Sequence, residues 1–147
     1  MLQVAPSGTP SVLRRVFPSW SIAIPTSFAE TFVAEGEYWH AYDEHDSVSL
    51  TSMLVDDKRR RPVPAKALAR KLPPLKGSPV TEFPAGLSGK AITGDAIQPA
   101  RASRMLSGML VLDGKVLIVT ITTDDPDLMM RTWLSIRHHR IGFPERR

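Results

Sequence analysis

The alternation of apolar and polar residues predicts a strand near the start of the chain and a hairpin after it. Residues 20–24 alternate large apolar side chains with small or polar ones, which is typical of a strand with one buried face, and Pro25 ends it. Residues 37–42 and 48–54 lie on either side of a polar cluster. They predict two strands joined by a turn, the first of them rich in aromatic residues.

The clearest local pattern is a second hairpin, turned by Asp113 and Gly114. This dipeptide is preferred in two-residue turns because glycine tolerates the positive φ that such turns require. The strand before it begins near residue 102, and the return strand over residues 116–121 is apolar on both faces. Because such a strand needs packing above and below it, we expect it at the centre of a sheet.

Helical spacing predicts one long helix and two short ones. The long helix covers residues 125–142, with an N-cap and a proline at its start, cations in its last turn and a glycine at its end. A short amphipathic helix is predicted over residues 65–72, between prolines. Ser27 and Glu30 have the spacing of a capping box, which predicts a further turn or two of helix there.

Together these elements predict an α+β fold: an antiparallel sheet of about five to seven strands, a long C-terminal helix and one or two short helices. The 147 residues suit one domain. We expect a single α+β domain over residues 16–142. Residues 1–15, which contain prolines and glycine, are predicted to form a flexible arm, and residues 143–147 a C-terminal tail.

The composition excludes several classes of protein. With no cysteine, the chain cannot form a disulfide framework or use a cysteine nucleophile. The N-terminus lacks the basic and apolar regions of a secretory signal. No stretch approaches the roughly 20 apolar residues that cross a bilayer. We therefore expect a soluble, cytoplasmic protein without a membrane partner, and no residue pattern implies a cofactor.

The net charge of +4 is divided unevenly along the chain. Residues 16–57 contain eight acidic residues and no lysine or arginine, whereas residues 58–76 contain eight basic residues and no acid. We call these the acidic block and the basic block. The favoured interpretation is that the two blocks neutralise each other within the fold or that the basic run is a solvated loop. The other interpretation is that the basic block faces an acidic partner.

The basic block contains the best candidate binding surface, formed by Arg59, Arg60, Arg61, Arg70 and Lys71. Guanidinium groups recognise carboxylate and phosphate, so an acidic protein, nucleic acid or anionic lipid could each bind. The neighbouring acidic block would repel phosphate, and no aromatic residues interleave the basic run. Nucleic acid is therefore the less favoured partner.

The aromatic residues Tyr38, Trp39 and Tyr42 have two interpretations. Exposed, they would extend a partner surface, where such side chains concentrate binding energy. Buried, they would be part of the hydrophobic core. Core packing is the favoured interpretation.

A polar cluster formed by His40, Asp43, His45 and Asp46 has potential for metal binding or acid–base chemistry. In an extended strand the two histidines would point to opposite faces, so shared ligation requires the turn to bring them together. No further pair of spaced ligands follows. A solvated hairpin turn is the favoured interpretation, and we predict no metal site.

The strand at residues 20–25, ended by proline, and the hairpin and helix from Gly108 to Ile136 resemble the PsbP-like fold family. This family includes an extrinsic photosystem subunit, a Ran-binding nuclear import factor and many small bacterial proteins. The resemblance covers about half of the chain. It implies an α+β fold and a binding or accessory role, but it places no family binding residue here.

From these observations we expect a non-enzymatic protein-binding or accessory module, whose partner is an acidic protein or a second copy of the chain. The first alternative is a small hydrolase or metal-dependent enzyme that uses His40 and His45. The second is nucleic-acid binding through residues 58–76.

Overall fold

The computed structural model describes residues 10–33, 37–96 and 103–139, which form ten strands and two helices. In chain order the strands are β1 (Ser11–Val16), β2 (Trp20–Pro25), β3 (Ala29–Val33), β4 (Tyr38–Tyr42), β5 (Ser47–Leu54), β6 (Ser78–Pro79), β7 (Ser88–Ala96), β8 (Ser103–Leu112), β9 (Lys115–Thr123) and β10 (Arg137–His138). The helices are α1 (Ala65–Lys71) and α2 (Pro126–Leu134).

The strands form two antiparallel sheets. The larger has seven strands in the order β3-β4-β5-β9-β8-β7-β6, and the smaller has three in the order β1-β2-β10. The α+β class and the antiparallel sheet are thus confirmed. The hairpin of β4 and β5 and that of β8 and β9 form as predicted. Strand β9 is the middle strand of the larger sheet, as its apolar character on both faces required.

One face of the larger sheet, which we call the inner face, packs against the main hydrophobic core. Leu117, Val119 and Ile121 of β9 point into this core, together with residues from β2 and α2. Trp20 and Trp133 are fully buried there. The small sheet and α2 therefore cover the inner face.

The opposite face, the outer face, carries a second and smaller core. Val111 and Val116 pack there against Leu68 of α1, which is buried. The side chain of Lys90 donates to the carbonyl oxygen of Leu72, at the C-terminal end of α1, at 3.2 Å. The helix predicted over residues 65–72 is therefore present, and it covers one part of the outer face.

The C-terminal helix is shorter than predicted. Helix α2 has nine residues and ends at Leu134, so the prediction of a long helix reaching residue 142 is wrong. Ser135 is its C-cap: its backbone N–H donates to the carbonyl oxygen of Arg131 at 3.1 Å, and its hydroxyl accepts the backbone N–H of Ala23 in β2 at 2.9 Å. The chain then pairs with β2 as β10, with Arg137 opposite Ser21. Residues 140–142 lie outside the described residues.

Two predictions for the N-terminal region need correction. The short helix near residues 27–30 is replaced by β3, in which the Glu30 carboxylate accepts a hydrogen bond from Arg14 at 2.6 Å instead of closing a capping box. Residues 11–15 belong to β1, which pairs with β2, and so are not a flexible arm. Pro10 precedes β1, and its carbonyl oxygen accepts the N–H of Thr26 at 3.0 Å. Residues 1–9 of that arm and the tail at 143–147 lie outside the described residues.

In the part of the chain that the structure describes, no helix is both long and apolar enough to span a membrane.

Candidate functional site

Strands β4, β5, β8 and β9 present a half-exposed surface on the outer face, away from α1. Its residues belong to neither hydrophobic core. The pairing register places His40, Ser49, Thr120 and Ser107 in one row across these four strands. We call this surface the open face. It consists of Tyr38, His40, Tyr42, Ser47, Ser49, Thr51, Thr120, Met105 and Ser107.

Three of these side chains form an aromatic strip along β4. Alternate residues of a strand share a face, so Tyr38, His40 and Tyr42 follow one another on the outer side. The His40 ring stacks on Tyr42 with centroids 4.9 Å apart, and Tyr38 lies on its other side at 6.3 Å. The Tyr38 hydroxyl also donates to the Ser49 hydroxyl at 3.1 Å. The strip is ordered and accessible, with Tyr42 37% exposed.

Trp39 points to the opposite side of β4. It is fully buried in the main core, and its indole N–H donates to the Glu30 carboxylate at 3.1 Å. The interpretation of Trp39 as part of a partner surface is therefore wrong. The alternation of side chains that places Tyr38 and Tyr42 together on the outer face directs Trp39 to the inner face.

The turn after β4 uses its acidic residue for its own structure. The Asp43 carboxylate accepts the backbone N–H groups of His45 at 2.8 Å and Asp46 at 2.7 Å. The backbone N–H of Asp43 in turn donates to the carbonyl oxygen of Asp46 at 3.0 Å. These bonds are those of a polar turn, and Asp43 is a structural residue there.

The two histidines of the polar cluster are not brought together as ligands. His40 is stacked within the aromatic strip, whereas His45 lies in the exposed turn with its ring 3.8 Å from the Glu44 carboxylate. Among the described residues, no group of three or more His, Cys, Asp or Glu side chains could hold a metal ion. The arrangement of these residues thus gives no support to a metal-dependent enzyme.

The arginine run between β5 and α1 is organised by Asp57. The Asp57 carboxylate accepts the backbone N–H groups of Arg59 and Arg61 and, at 3.0 Å, the guanidinium of Arg61. These hydrogen bonds, led by that from the Arg61 backbone, lower the pKa of Asp57 below its usual value. Arg60 has a φ of +63°, which turns the chain sharply at this point. We call Arg59, Arg60, Arg61, Arg70 and Lys71, all of them exposed, the basic lip.

Among the described residues, no network of ion pairs joins the acidic and basic blocks. The ion pair of Arg61 with Asp57 joins them. Arg59, Arg60 and Lys71 have no carboxylate of a described residue within 4.0 Å, and the same holds for Arg70. Most of the basic lip is therefore free of an internal partner among the described residues.

The basic lip and the open face lie on the same side of the larger sheet. Helix α1, which carries two of the cations, packs on the outer face. The loop that carries the others is bound to the β8–β9 turn, since Gly114 accepts from the N–H of Val55 at 2.9 Å and donates to the carbonyl oxygen of Val63 at 2.7 Å. The predicted binding residues other than Trp39 thus share one side of the molecule.

A concave site on the inner side of the sheet was not among the sites predicted from the sequence. It is a cleft of about 610 Å³ between the β1–β2 turn and the adjoining ends of β5 and β9. Its residues come from four separate segments, none of which carries a motif. Leu54, which ends β5 and lines this cleft, is 75% exposed. The cleft is lined by Phe17, Pro18, Ser19, Trp20, Glu37, Ser52, Met53, Leu54 and Lys115.

Comparison with known proteins identifies the fold only. No protein-family model matches the chain, and no curated protein is significantly similar to it. Among solved structures, a crystal structure of a protein from Bacteroides thetaiotaomicron VPI-5482, determined at 1.50 Å, matches with a TM-score of 0.60. The identity is 7%, and the match covers 86% of this chain and 47% of that one. The match therefore spans about half the length of that protein.

Proposed function

We propose that this chain is a non-enzymatic binding module that takes an acidic protein segment across the basic lip and the adjoining open face. One observation carries the proposal: exposed cations of the basic lip have no carboxylate partner among the described residues, and they share a side of the sheet with an ordered aromatic strip. The resemblance to the PsbP-like family, with its many binding and accessory members, is in keeping with this role.

The chemistry of the two surfaces suits one extended ligand. Guanidinium groups bind carboxylates through paired N–H donors, and the charge of the lip raises the rate of encounter with an acidic segment. Tyr38 and Tyr42 offer large, rigid contact area with a polar end, and tyrosine and arginine are the residues most enriched where binding energy is concentrated. Charge would thus attract the partner, and the aromatic strip would fix it in place.

The acidic side of the molecule argues for a protein rather than a nucleic acid. The turn that follows the aromatic strip carries Asp43 and Glu44, both exposed. A phosphate backbone laid from the basic lip along the open face would meet these carboxylates. A protein segment can instead combine acidic residues opposite the lip with neutral or basic residues opposite the turn.

The proposal is tested by titrating the intact chain with a fluorescein-labelled peptide of glutamate and leucine at low salt. The variant Arg70→Ser is compared with Arg131→Ser, which removes an exposed arginine from α2 on the other side of the sheet. We expect Arg70→Ser to weaken binding about two- to fivefold, the range for one exposed charged contact, and Arg131→Ser to leave it unchanged. Added salt should weaken binding further.

Equal losses in the two variants would show that net charge alone attracts the peptide, and no binding at low salt would contradict the proposal. A short single-stranded oligonucleotide is the competing probe. If it binds the chain more tightly than the acidic peptide and Arg70→Ser reduces that binding, the surface recognises nucleic acid and the proposal is wrong.

A further inference from the structure

The cleft beside the β1–β2 turn has the size and lining of a small-molecule site. Its volume of about 610 Å³ lies within the range of roughly 300–1,000 Å³ that ligand pockets occupy. Phe17 and Leu54 give it apolar walls, the buried Trp20 lies at its floor, and a few polar groups converge on it. It lies on the inner side of the sheet, so it is separate from the basic lip and the open face.

The floor of the cleft is held rigidly. Trp20 of β2 is paired with His138 of β10, and their rings meet edge to face with centroids 4.8 Å apart. Phe17 forms the turn before β2 with a φ of +46°, a conformation that residues other than glycine rarely adopt. The carbonyl oxygen of Phe17 accepts the N–H of Trp20 at 2.9 Å, which closes this turn. Strained backbone of this kind is concentrated at ligand sites.

Lys115 supplies the cleft with an oriented positive charge. It lies directly opposite Leu54 across the β5–β9 pairing, so the two side chains share the inner face. Its ammonium donates to Nε2 of His138 at 3.0 Å, and it is half-buried. No carboxylate of a described residue lies within 4.0 Å of it. An ammonium has three donors, so two remain for a ligand.

The remaining polar groups limit the charge of the ligand that the cleft can accept. Glu37 lines the cleft and is exposed, and the backbone N–H of Ser52 donates to its carbonyl oxygen at 3.0 Å. One carboxylate of a ligand can pair with Lys115, but a second one near Glu37 would be repelled. The cleft is thus suited to a ligand with one anionic group and an apolar body.

We propose that the cleft binds an amphipathic monocarboxylate, with its carboxylate on the Lys115 ammonium and its alkyl or aryl body against Phe17 and Leu54, above the floor that Trp20 forms. This site is independent of the proposed protein-binding surface. Either can fail without the other, because Lys115 and Leu54 belong to neither the basic lip nor the open face.

The test is a titration of the ¹⁵N-labelled chain with decanoate, followed through its three indole N–H signals. Trp20 lines the cleft, whereas the indole N–H groups of Trp39 and Trp133 donate to Glu30 and to the Glu82 carbonyl oxygen elsewhere. We expect saturable shifts of the Trp20 signal alone. Decanol should bind more weakly than decanoate, and decyltrimethylammonium more weakly still.

Two variants separate the charge from the apolar wall. Lys115→Gln retains a donor for His138 but removes the charge, and it should reduce the decanoate affinity about tenfold, to that of decanol. Leu54→Ser should lower the affinity for both decanoate and decanol, and Lys66→Gln on α1 should change neither affinity. Unsaturable binding, shifts at all three indoles, or equal decanoate affinity in Lys115→Gln and the unaltered chain would each overturn the proposal.

Discussion

Gly108 is the residue whose lack of a side chain most directly shapes the core. A Cβ at this position would lie 2.7 Å from Cη2 of Trp133 and 3.3 Å from Cβ of Ala91. Trp133 is fully buried, and its indole N–H donates to the carbonyl oxygen of Glu82 at 2.8 Å, so the ring has little freedom to move. The close approach of β8 to α2 therefore depends on this glycine.

We predict that Gly108→Ala destabilises the chain by about 1–3 kcal/mol, the usual cost of overpacking a core. The clash outweighs the roughly 0.5–1 kcal/mol that alanine gains over glycine in a strand. Urea unfolding measures the difference. Gly94→Ala in β7 is the matched control, since its Cβ would meet nothing within 4 Å and it should be neutral or stabilising. Equal stability of the two variants would contradict the packing described here.

The environment of His138 predicts a pH dependence of stability. Burial, and then the positive charges of Lys115 and His139, lower the pKa of His138 below its ordinary value of 6.5. The unfolded chain takes up a proton near that value, whereas the folded chain resists it. The stability is therefore complete above pH 6.5 and is lost as the pH falls through the folded pKa.

We therefore expect the melting temperature to fall between about pH 7.5 and about pH 5.5, and to fall less in His138→Gln. Thermal unfolding followed by circular dichroism measures both slopes. The exposed His45 provides the control, and His45→Gln should retain the slope of the unaltered chain. An unchanged slope in His138→Gln would show that this histidine is not the group responsible.

At the scale of elements, the β8–β9 turn does more than reverse the chain. The Asp113 carboxylate accepts the backbone N–H of Ala65, the first residue of α1, at 2.8 Å. Helix α1 has only seven residues, and its own N-cap position is Pro64, which offers no side-chain acceptor. Gly114 fits against Pro62, since a Cβ on it would lie 2.7 Å from the Pro62 Cβ. One turn thus holds the hairpin and caps the helix that covers the outer face.

Asp113→Ala should consequently cost about 0.5–2 kcal/mol, the range for loss of an N-cap, and should speed amide exchange in α1. Asp113→Asn keeps an oxygen acceptor and should recover most of this loss. Chemical unfolding and hydrogen exchange provide the two readouts. If alanine and asparagine are equivalent here, the carboxylate does not cap α1.

Elements that depend on local signals could be predicted from the sequence, and those that depend on distant partners could not. The turn at Asp113 and Gly114 is a local signal, as is the alternation of residues around it. Both β8 and β9 are present as predicted. The prediction of a long C-terminal helix was wrong because β10 pairs with β2. In this pairing Arg137 lies opposite Ser21, which is distant in sequence. The prediction of a short helix from the capping-box spacing was wrong for the same reason, since the Glu30 carboxylate accepts hydrogen bonds from Arg14 and Trp39.

The same distinction applies to the sites of the whole molecule. The basic lip could be predicted because its cations are contiguous or nearly so in sequence. The alternation of side chains along β4 decides which of its aromatic residues are accessible. Once β4 is recognised as a strand, this alternation can be predicted from the sequence. The cleft could not be predicted, because the sequence does not show that Phe17, Leu54 and Lys115 meet.

At the scale of the whole molecule, the two sides of the larger sheet have different roles. Helix α2 and the small sheet bury the inner face, whereas α1 leaves half-exposed aromatic residues on the outer one, together with cations that have no carboxylate partner in the described ranges. We therefore expect the proposed partner to bind the outer side.

A chemical-shift map of the ¹⁵N-labelled chain with the glutamate and leucine peptide tests that claim most directly. We expect the largest shifts at backbone amides of the basic lip and the aromatic strip, such as those of Arg59, Arg70 and Tyr42, and no shift at Arg131 on α2. Shifts centred on α2, or spread evenly over both sides of the sheet, would contradict it.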